Sequence, residues 1–270
     1  MKSYRAIRLL TVSDIHQSQT LYRQLSAAVT LHQPDVVACV GDVLDAIEFS
    51  PARQFTPAEC ACHLANLSAK HVVFVRGNHE DSNWTEFIAA WPHCRRPLCA
   101  LYGSAISVGP LVIIGFPCFT GSEFTWCAHL EAGKSEMSLS PQNPSEELPV
   151  ELDCWLPDLM RRAGTAGRTL WLTHEPPVGR PLGNARTCNA IWTAAVERFS
   201  PRLIISGHDH ESPIKNGAWN YRLGSTLCVN VGQQAGTLHY TLAEFEFRSV
   251  TSLPAVIRVQ AFPKKEEVTV

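Results

Sequence analysis

No stretch of this chain approaches the ~18 uninterrupted apolar residues that a bilayer-crossing helix needs, which argues against a helical membrane span. The first apolar run, Ala6 to Val12, is short, is broken by Arg8, and leads almost at once into Asp14. It lacks the core of an export signal, so the expectation is a cytoplasmic protein with no membrane partner. Excess charge of either sign is also missing: 23 Lys and Arg against 25 Asp and Glu leave a formal net charge of -2. So balanced a chain has no whole-molecule field to hold nucleic acid, and stable nucleic-acid binding is not indicated. The ten cysteines include no Cys-x2-Cys pair, which weakens any zinc-knuckle reading. In a reducing compartment they serve as small buried hydrophobes, and Cys39 and Cys228, inside apolar runs, fit that role. Cys60 and Cys62 fall together in a helical stretch. Internal repeats and low-complexity tracts are absent too.

What is present is the composition of an ordinary globular protein, 45% hydrophobic and 18% charged over 270 residues. That length buries a sizeable core, and we read residues 1–270 as a single domain. Strand and helix signals alternate at first. Ala6–Val12, Asp35–Val40 and His71–Val75 are apolar strand runs. Ser18–His32 carries apolar residues at helical spacing and stops at Pro34, and Pro57–Ala69 reads as a second helix with proline at its start. Continuous apolar strands between helices imply parallel strands covered on both faces. Ala105–Gly109 and Leu111–Phe116 are closely spaced strands. From 117 to 150 the pattern turns irregular, and we read that segment as a flap or insertion, with Phe116, Phe119, Phe124 and Trp126 pinning it to the core in preference to the alternative of stacking on a base. Alternation resumes with a helix at Glu151–Ala163, a strand at Arg168–Thr173, a helix at Ala190–Phe199 and a strand at Leu203–Ser206. Thr226–Val259 is rich in strand signals.

Five segments share one layout, in which a strand run ends and metal-capable side chains follow. They are Ser13-Asp14-Ile15-His16, Gly41-Asp42, Gly77-Asn78-His79-Glu80, Thr173-His174-Glu175, and Gly207-His208-Asp209-His210. Loops at the carboxyl ends of strands form the ligand crevice of an open α/β sheet, so these loops should converge. In Asp14-x-His16 two side chains on one side of an extended segment grip one ion. The two carboxylate oxygens of Asp42 suit a bridge between two cations, with Gly41 removing bulk beside it. Gly77 allows a sharp turn that aims Asn78 and His79 inward. His208 and His210 repeat the alternating geometry but could serve different ions. Mixed nitrogen and oxygen donors suit Mn, Fe, Zn or Ni better than Mg or Ca. Each piece alone is common. Their concurrence, with five of the eleven histidines in strand-end segments, is not.

The ordered series resembles the signature of the calcineurin-like metallophosphoesterases, and it spans residues 14 to 210. The resemblance implies an α/β fold, specifically a four-layer α/β/β/α sandwich with two mixed β-sheets, and a dinuclear metal centre at their edge. It implies that Asp14, His16, Asp42 and His210 hold one ion and that Asp42, Asn78, His174 and His208 hold the other. His79 matches the family position that contacts substrate or leaving group. The implied reaction is phosphoester hydrolysis by attack of a metal-bridging hydroxide, with His79 as acid. Gly41-Asp42-Val43-Leu44 lacks the Arg-Gly of Ser/Thr protein phosphatases. The run His174-Glu-Pro-Pro-Val-Gly179 looks closest to small stand-alone phosphodiesterases acting on nucleotide-like or cyclic nucleotide substrates. The alternatives are a phosphomonoesterase or a non-catalytic scaffold, and the complete ligand set favours an enzyme. Arg76 and Arg180 are candidates for meeting a substrate phosphate, against pairing with Glu80 or Asp81. Glu175 and Asp209 read as groups supporting the ligands or exposed to solvent. Monomer and homodimer both remain open.

Overall fold

A computed structural model describes residues 6–44, 54–80, 84–91, 99–101, 103–116, 156–161, 168–179, 187–215, 217–234, 236–249 and 252–269. The expected flap at 117–150, with Phe119, Phe124 and Trp126, lies outside these residues, as does Arg180. Near the N-terminus strands and helices alternate as β1 (Ile7–Val12), α1 (Gln19–His32), β2 (Val36–Val40), α2 (Pro57–Ala65), β3 (His71–Val75), α3 (Trp84–Ala90) and β4 (Cys99–Ala100). The four strands pair in parallel in that order. From the C-terminal part of the chain, β11 (Tyr240–Phe247), β12 (Pro254–Phe262) and β13 (Glu266–Thr269) extend this sheet antiparallel beyond β1. The second sheet holds β5 (Ser104–Val108), β6 (Leu111–Phe116), β7 (Thr169–Thr173), β8 (Leu203–Ser206), β9 (Asn220–Leu223) and β10 (Thr226–Asn230), in the order β5-β6-β7-β8-β10-β9. Both sheets are mixed, and β6, β7, β8 and β10 form the parallel centre of the second.

Side-chain alternation explains the layering. Leu9, Val36, Ala38, Val40, Val73 and Val75 project from the first sheet into a core shared with Ile113, Leu170, Leu172, Leu203, Ile205 and Val229 of the second. Their neighbours Leu10, Val12, Val37, Cys39, Val72 and Phe74 point the other way, onto Leu25 and Val29 of α1, Leu64 of α2 and Phe87 of α3. On the far side Ile114, Trp171, Ile204 and Cys228 meet helical residues 156–161 and Trp192 of the helix Ala190–Phe199. A period of two with both faces apolar yields helix, sheet, sheet, helix. This is the four-layer sandwich expected.

Local signals set the helix ends. Ser18 caps α1 by accepting from the Leu21 N–H, and Gln33 closes it in the left-handed conformation just before Pro34. A capping box of Thr56 and Glu59 starts α2. That helix stops at Ala65 rather than Ala69, because Asn66 takes the C-cap, and Asn competes with helical backbone bonding. The seven residues of α3 are too few to give a periodic signal in the sequence. Cys39, Cys60 and Cys228 are buried as expected, whereas Cys62 faces outward.

Candidate metal centre

The carboxyl ends of β1, β2, β3, β7 and β8 bring their loops to one edge of the sandwich. The β1 and β2 loops run side by side: Asp14 N–H donates to the Gly41 carbonyl at 3.0 Å, and His16 N–H to the Asp42 carbonyl at 2.9 Å. The His208 N–H donates to Asp14 Oδ2 at 3.0 Å, which ties the β8 loop to β1 across the two sheets. Asp14, His16, Asp42 and His208 all adopt positive φ, at 56°, 48°, 52° and 64°. Asp14 and His16 are therefore both left-handed, His16 within a turn closed by the Ser18 N–H on the Ile15 carbonyl at 3.0 Å, and the segment is not the alternating extended one expected. Each such residue stores about 1–3 kcal/mol of backbone strain, and strain of this kind concentrates at functional sites.

Among the described residues, two groups of ligand-capable side chains each hold their donor atoms within 4.8 Å of one another. Asp14, His16 and His210 form one, and Asp42, His174 and His208 form the other. His208 and His210, two residues apart, thus face different groups. Asn78 joins the second, with Oδ1 3.0 Å from His174 Nε2. His210 Nε2 is 3.0 Å from Asp14 Oδ1, and His174 Nε2 is 3.3 Å from Asp42 Oδ2. His79 stands beside both groups, its Nε2 3.8 Å from Asp42 Oδ2 and its ring 5.0 Å from that of His16.

Glycine makes this approach possible. A Cβ on Gly41, whose φ is +94°, would lie 2.2 Å from His174 Nδ1. A turn does follow at Asn78 and His79, but Gly77 itself has no positive φ, so left-handed backbone is not what it supplies. It clears space instead, because a Cβ there would lie 2.1 Å from Asp42 Oδ1.

The electrostatics follow from crowding. Burial works against charge on Asp14, yet His210, His174 and His16 outweigh it and hold the carboxyl well below its usual range. Asp42 is also lowered, because His174 offsets burial and the repulsion of Asp14. Burial disfavours a proton on His174, but Asp42, Asp14 and the Val40 carbonyl, which lies 2.8 Å from Nδ1, bring its pKa to about 10. Asp14 raises His210, and burial lowers His16 and His208.

Two carboxylates, four imidazoles and an amide oxygen, packed beside a glycine that leaves no room for a side chain, fit divalent metal ions of the Mn, Fe, Zn or Ni kind. In metal-free protein His174 and His210 are raised, so metal uptake should release protons and tighten as pH rises. The sign for stability is opposite. His174 has a folded value of about 10 against an ordinary value of 6.5, so its contribution is complete below about pH 6.5 and lost as pH climbs through 10. Thermal melts of EDTA-treated protein from neutral pH upward, with calorimetric Mn2+ titrations in buffers of different ionisation enthalpy, test both. Metal affinity that is flat with pH would refute this account.

The other candidates sit differently. The Arg76 guanidinium lies over the Trp84 ring, 5.0 Å from its centroid. Glu175 and Asp209 are buried, which removes the solvent-exposed reading: Asn189 Nδ2 donates to Glu175 at 3.2 Å, and Asp209 accepts from the backbone N–H groups of Glu211 and Ser212. Glu80, the last residue of the Gly77-Asn78-His79-Glu80 segment and a candidate partner for arginine in the sequence, is fully buried and accepts the backbone N–H groups of Asp42, Leu44 and Gly77. Burial, followed by the Asp42 charge, raises its pKa, while the backbone donors of Leu44 and Gly77 pull the other way and favour the ionised carboxylate. Contacts across more than thirty residues carry no local sequence signal.

The pattern of the calcineurin-like phosphoesterase family matches residues 7–212, well over half of the chain. No curated protein matches it by sequence. Among solved structures, a dimetal phosphatase from Danio rerio is similar with 11% identity, 98% coverage of each chain and a TM-score of 0.59. TT1561 of Thermus thermophilus is similar with 12% identity, 98% coverage of this chain, 99% of that one and a TM-score of 0.58. At such identities these structures share the fold.

Proposed function

The chain belongs to the calcineurin-like phosphoesterase family, whose members are metal-dependent phosphoester hydrolases, and from that premise we propose a phosphodiesterase acting on small nucleotide-like substrates at a two-ion centre. The observation that carries the two-ion reading is the separation of the donors into two abutting groups, Asp14 with His16 and His210, and Asp42 with His174 and His208. Asn78 would help hold the second ion, and Asp42 would serve both. Bound divalent ions supply positive charge that polarises a phosphoryl group and acidifies water beside it.

The protein's own groups do the rest. Val40 fixes the His174 ring by facing Nδ1, which leaves Nε2 toward Asp42 and Asn78. His79 donates its backbone N–H to Asp42 Oδ1 at 2.9 Å, so its ring is held beside Asp42 and partly open to solvent. From there it hands a proton to the departing oxygen. The diester preference rests on the His174-Glu-Pro-Pro run and on the missing Arg-Gly after Asp42. We also propose that residues 1–270 form one domain, a reading supported by β1 pairing with both β2 and β11. No helix among the described residues is long and apolar enough to cross a membrane.

The test compares bis-p-nitrophenyl phosphate with p-nitrophenyl phosphate, with Mn2+ and with EDTA, for the wild type and His79→Ala. Metal-dependent cleavage favouring the diester is expected. His79→Ala should keep both ions by elemental analysis and lose roughly 10²–10⁴-fold in turnover. A monoester preference would move the assignment to a phosphomonoesterase. No metal-dependent hydrolysis of either ester would leave a scaffold, and loss of metal from His79→Ala would refute its role as acid.

A further inference from the structure

Two loops that are remote in sequence are locked by reciprocal contacts. The side chain of Asp42 accepts from the backbone of His79, with Oδ1 at 2.9 Å, while the backbone of Asp42 donates to the side chain of Glu80, with Oε2 at 3.0 Å. The same carboxylate takes the Leu44 N–H on Oε1 at 3.1 Å and the Gly77 N–H on Oε2 at 2.5 Å. Three backbone donors from two loops thus converge on one fully buried acid. Asp42 needs such backing, because at φ 52° it holds a conformation that costs a non-glycine residue roughly 1–2 kcal/mol.

We propose that Glu80 is the positioning residue of the centre. Its carboxylate clamps the β2 loop to the β3 loop, so that Asp42, Asn78 and His79 face one point. The effect on metal rests on the ligand roles assigned above; the clamp itself does not. A buried acid that served only to fill space would be replaceable by any group of its volume. This one must accept on both oxygens, because every group facing it through these bonds is a donor. Glu80→Gln keeps the shape but turns an NH2 toward backbone N–H groups. Glu80→Asp keeps both acceptors on a shorter stem.

The experiment titrates Mn2+ into EDTA-stripped wild type, E80Q and E80D, measures kcat and KM at saturating Mn2+, and follows amide exchange at Asp42, Leu44 and Gly77. E80Q should lose about 10–100-fold in Mn2+ affinity, with a fall in kcat rather than a rise in KM. E80D should recover part of both. The three amides should exchange slowly in the wild type and fast in E80Q. Unchanged Mn2+ affinity and kcat in E80Q would overturn the proposal. So would fast exchange of the three amides in the wild type, a result that stands even if E80Q does not fold. A wild type that takes up no Mn2+ would overturn the two-ion reading instead, while the exchange data would still decide the clamp.

Discussion

Replacing Asp42 with alanine should remove essentially all turnover, by about 10³-fold or more, which corresponds to roughly 4 kcal/mol of transition-state stabilisation. The argument is geometric first. Asp42 is buried, its Oδ2 lies 3.3 Å from His174 Nε2 and 3.8 Å from His79 Nε2, and its Oδ1 accepts from the His79 backbone. It is therefore the carboxylate on which the second ligand group and the proposed acid both depend. Asp42 is also the largest influence opposing burial at His174, so without it the His174 pKa should fall below about 10. The ion proposed to bind with Asn78, His174 and His208 should be lost on desalting. Asp42→Asn, which keeps the volume and removes the charge, should behave almost as badly. Elemental analysis and turnover on a model ester read the outcome, with circular dichroism to confirm folding. Two retained ions and full turnover would sink the assignment.

Gly77→Ala should do comparable damage without replacing a single proposed ligand. The new Cβ would sit 2.1 Å from Asp42 Oδ1 and 2.7 Å from the Asp42 backbone nitrogen. A side-chain oxygen alone could swing aside. The backbone nitrogen cannot, because it donates to Glu80 at 3.0 Å on the floor of the site. The two loops must then separate. Overpacking of this kind typically costs about 1–3 kcal/mol, which denaturant unfolding of the metal-free protein resolves. Mn2+ affinity and turnover should fall with it. An unchanged unfolding midpoint together with unchanged Mn2+ affinity would mean that this close approach does not exist in solution.

Much of this is legible in the chain. Strands such as Val36–Val40 announce themselves because a doubly covered strand is apolar at every position, and α1 because its apolar residues recur at helical spacing. Short elements are not legible. The two residues of β4 and the seven of α3 are shorter than the window that would reveal them. Gly77 reads as a turn residue because sequence shows that a side chain is missing but not which atom fills its place. Asp14 and His16 read as alternating positions on an extended segment, and only backbone angles reveal that both are left-handed.

Which side chains gather at the candidate centre is written in the chain itself, because each candidate ligand follows closely on a strand and strand order brings those ends to one edge. How they divide is implied in the sequence by the family resemblance alone, and its geometry is visible only in three dimensions. His208 and His210 sit two residues apart, yet one meets Asp42 and His174 while the other meets Asp14 and His16. The same holds for what keeps them in place. Glu80 reaches back 38 residues to the backbone of Asp42, and His174 reaches back 134 to the carbonyl of Val40. Local periodicity encodes a residue's face and its neighbours along the chain. Hydrogen bonds between loops depend on how two sheets pack, and that distance is set only when the shared core closes.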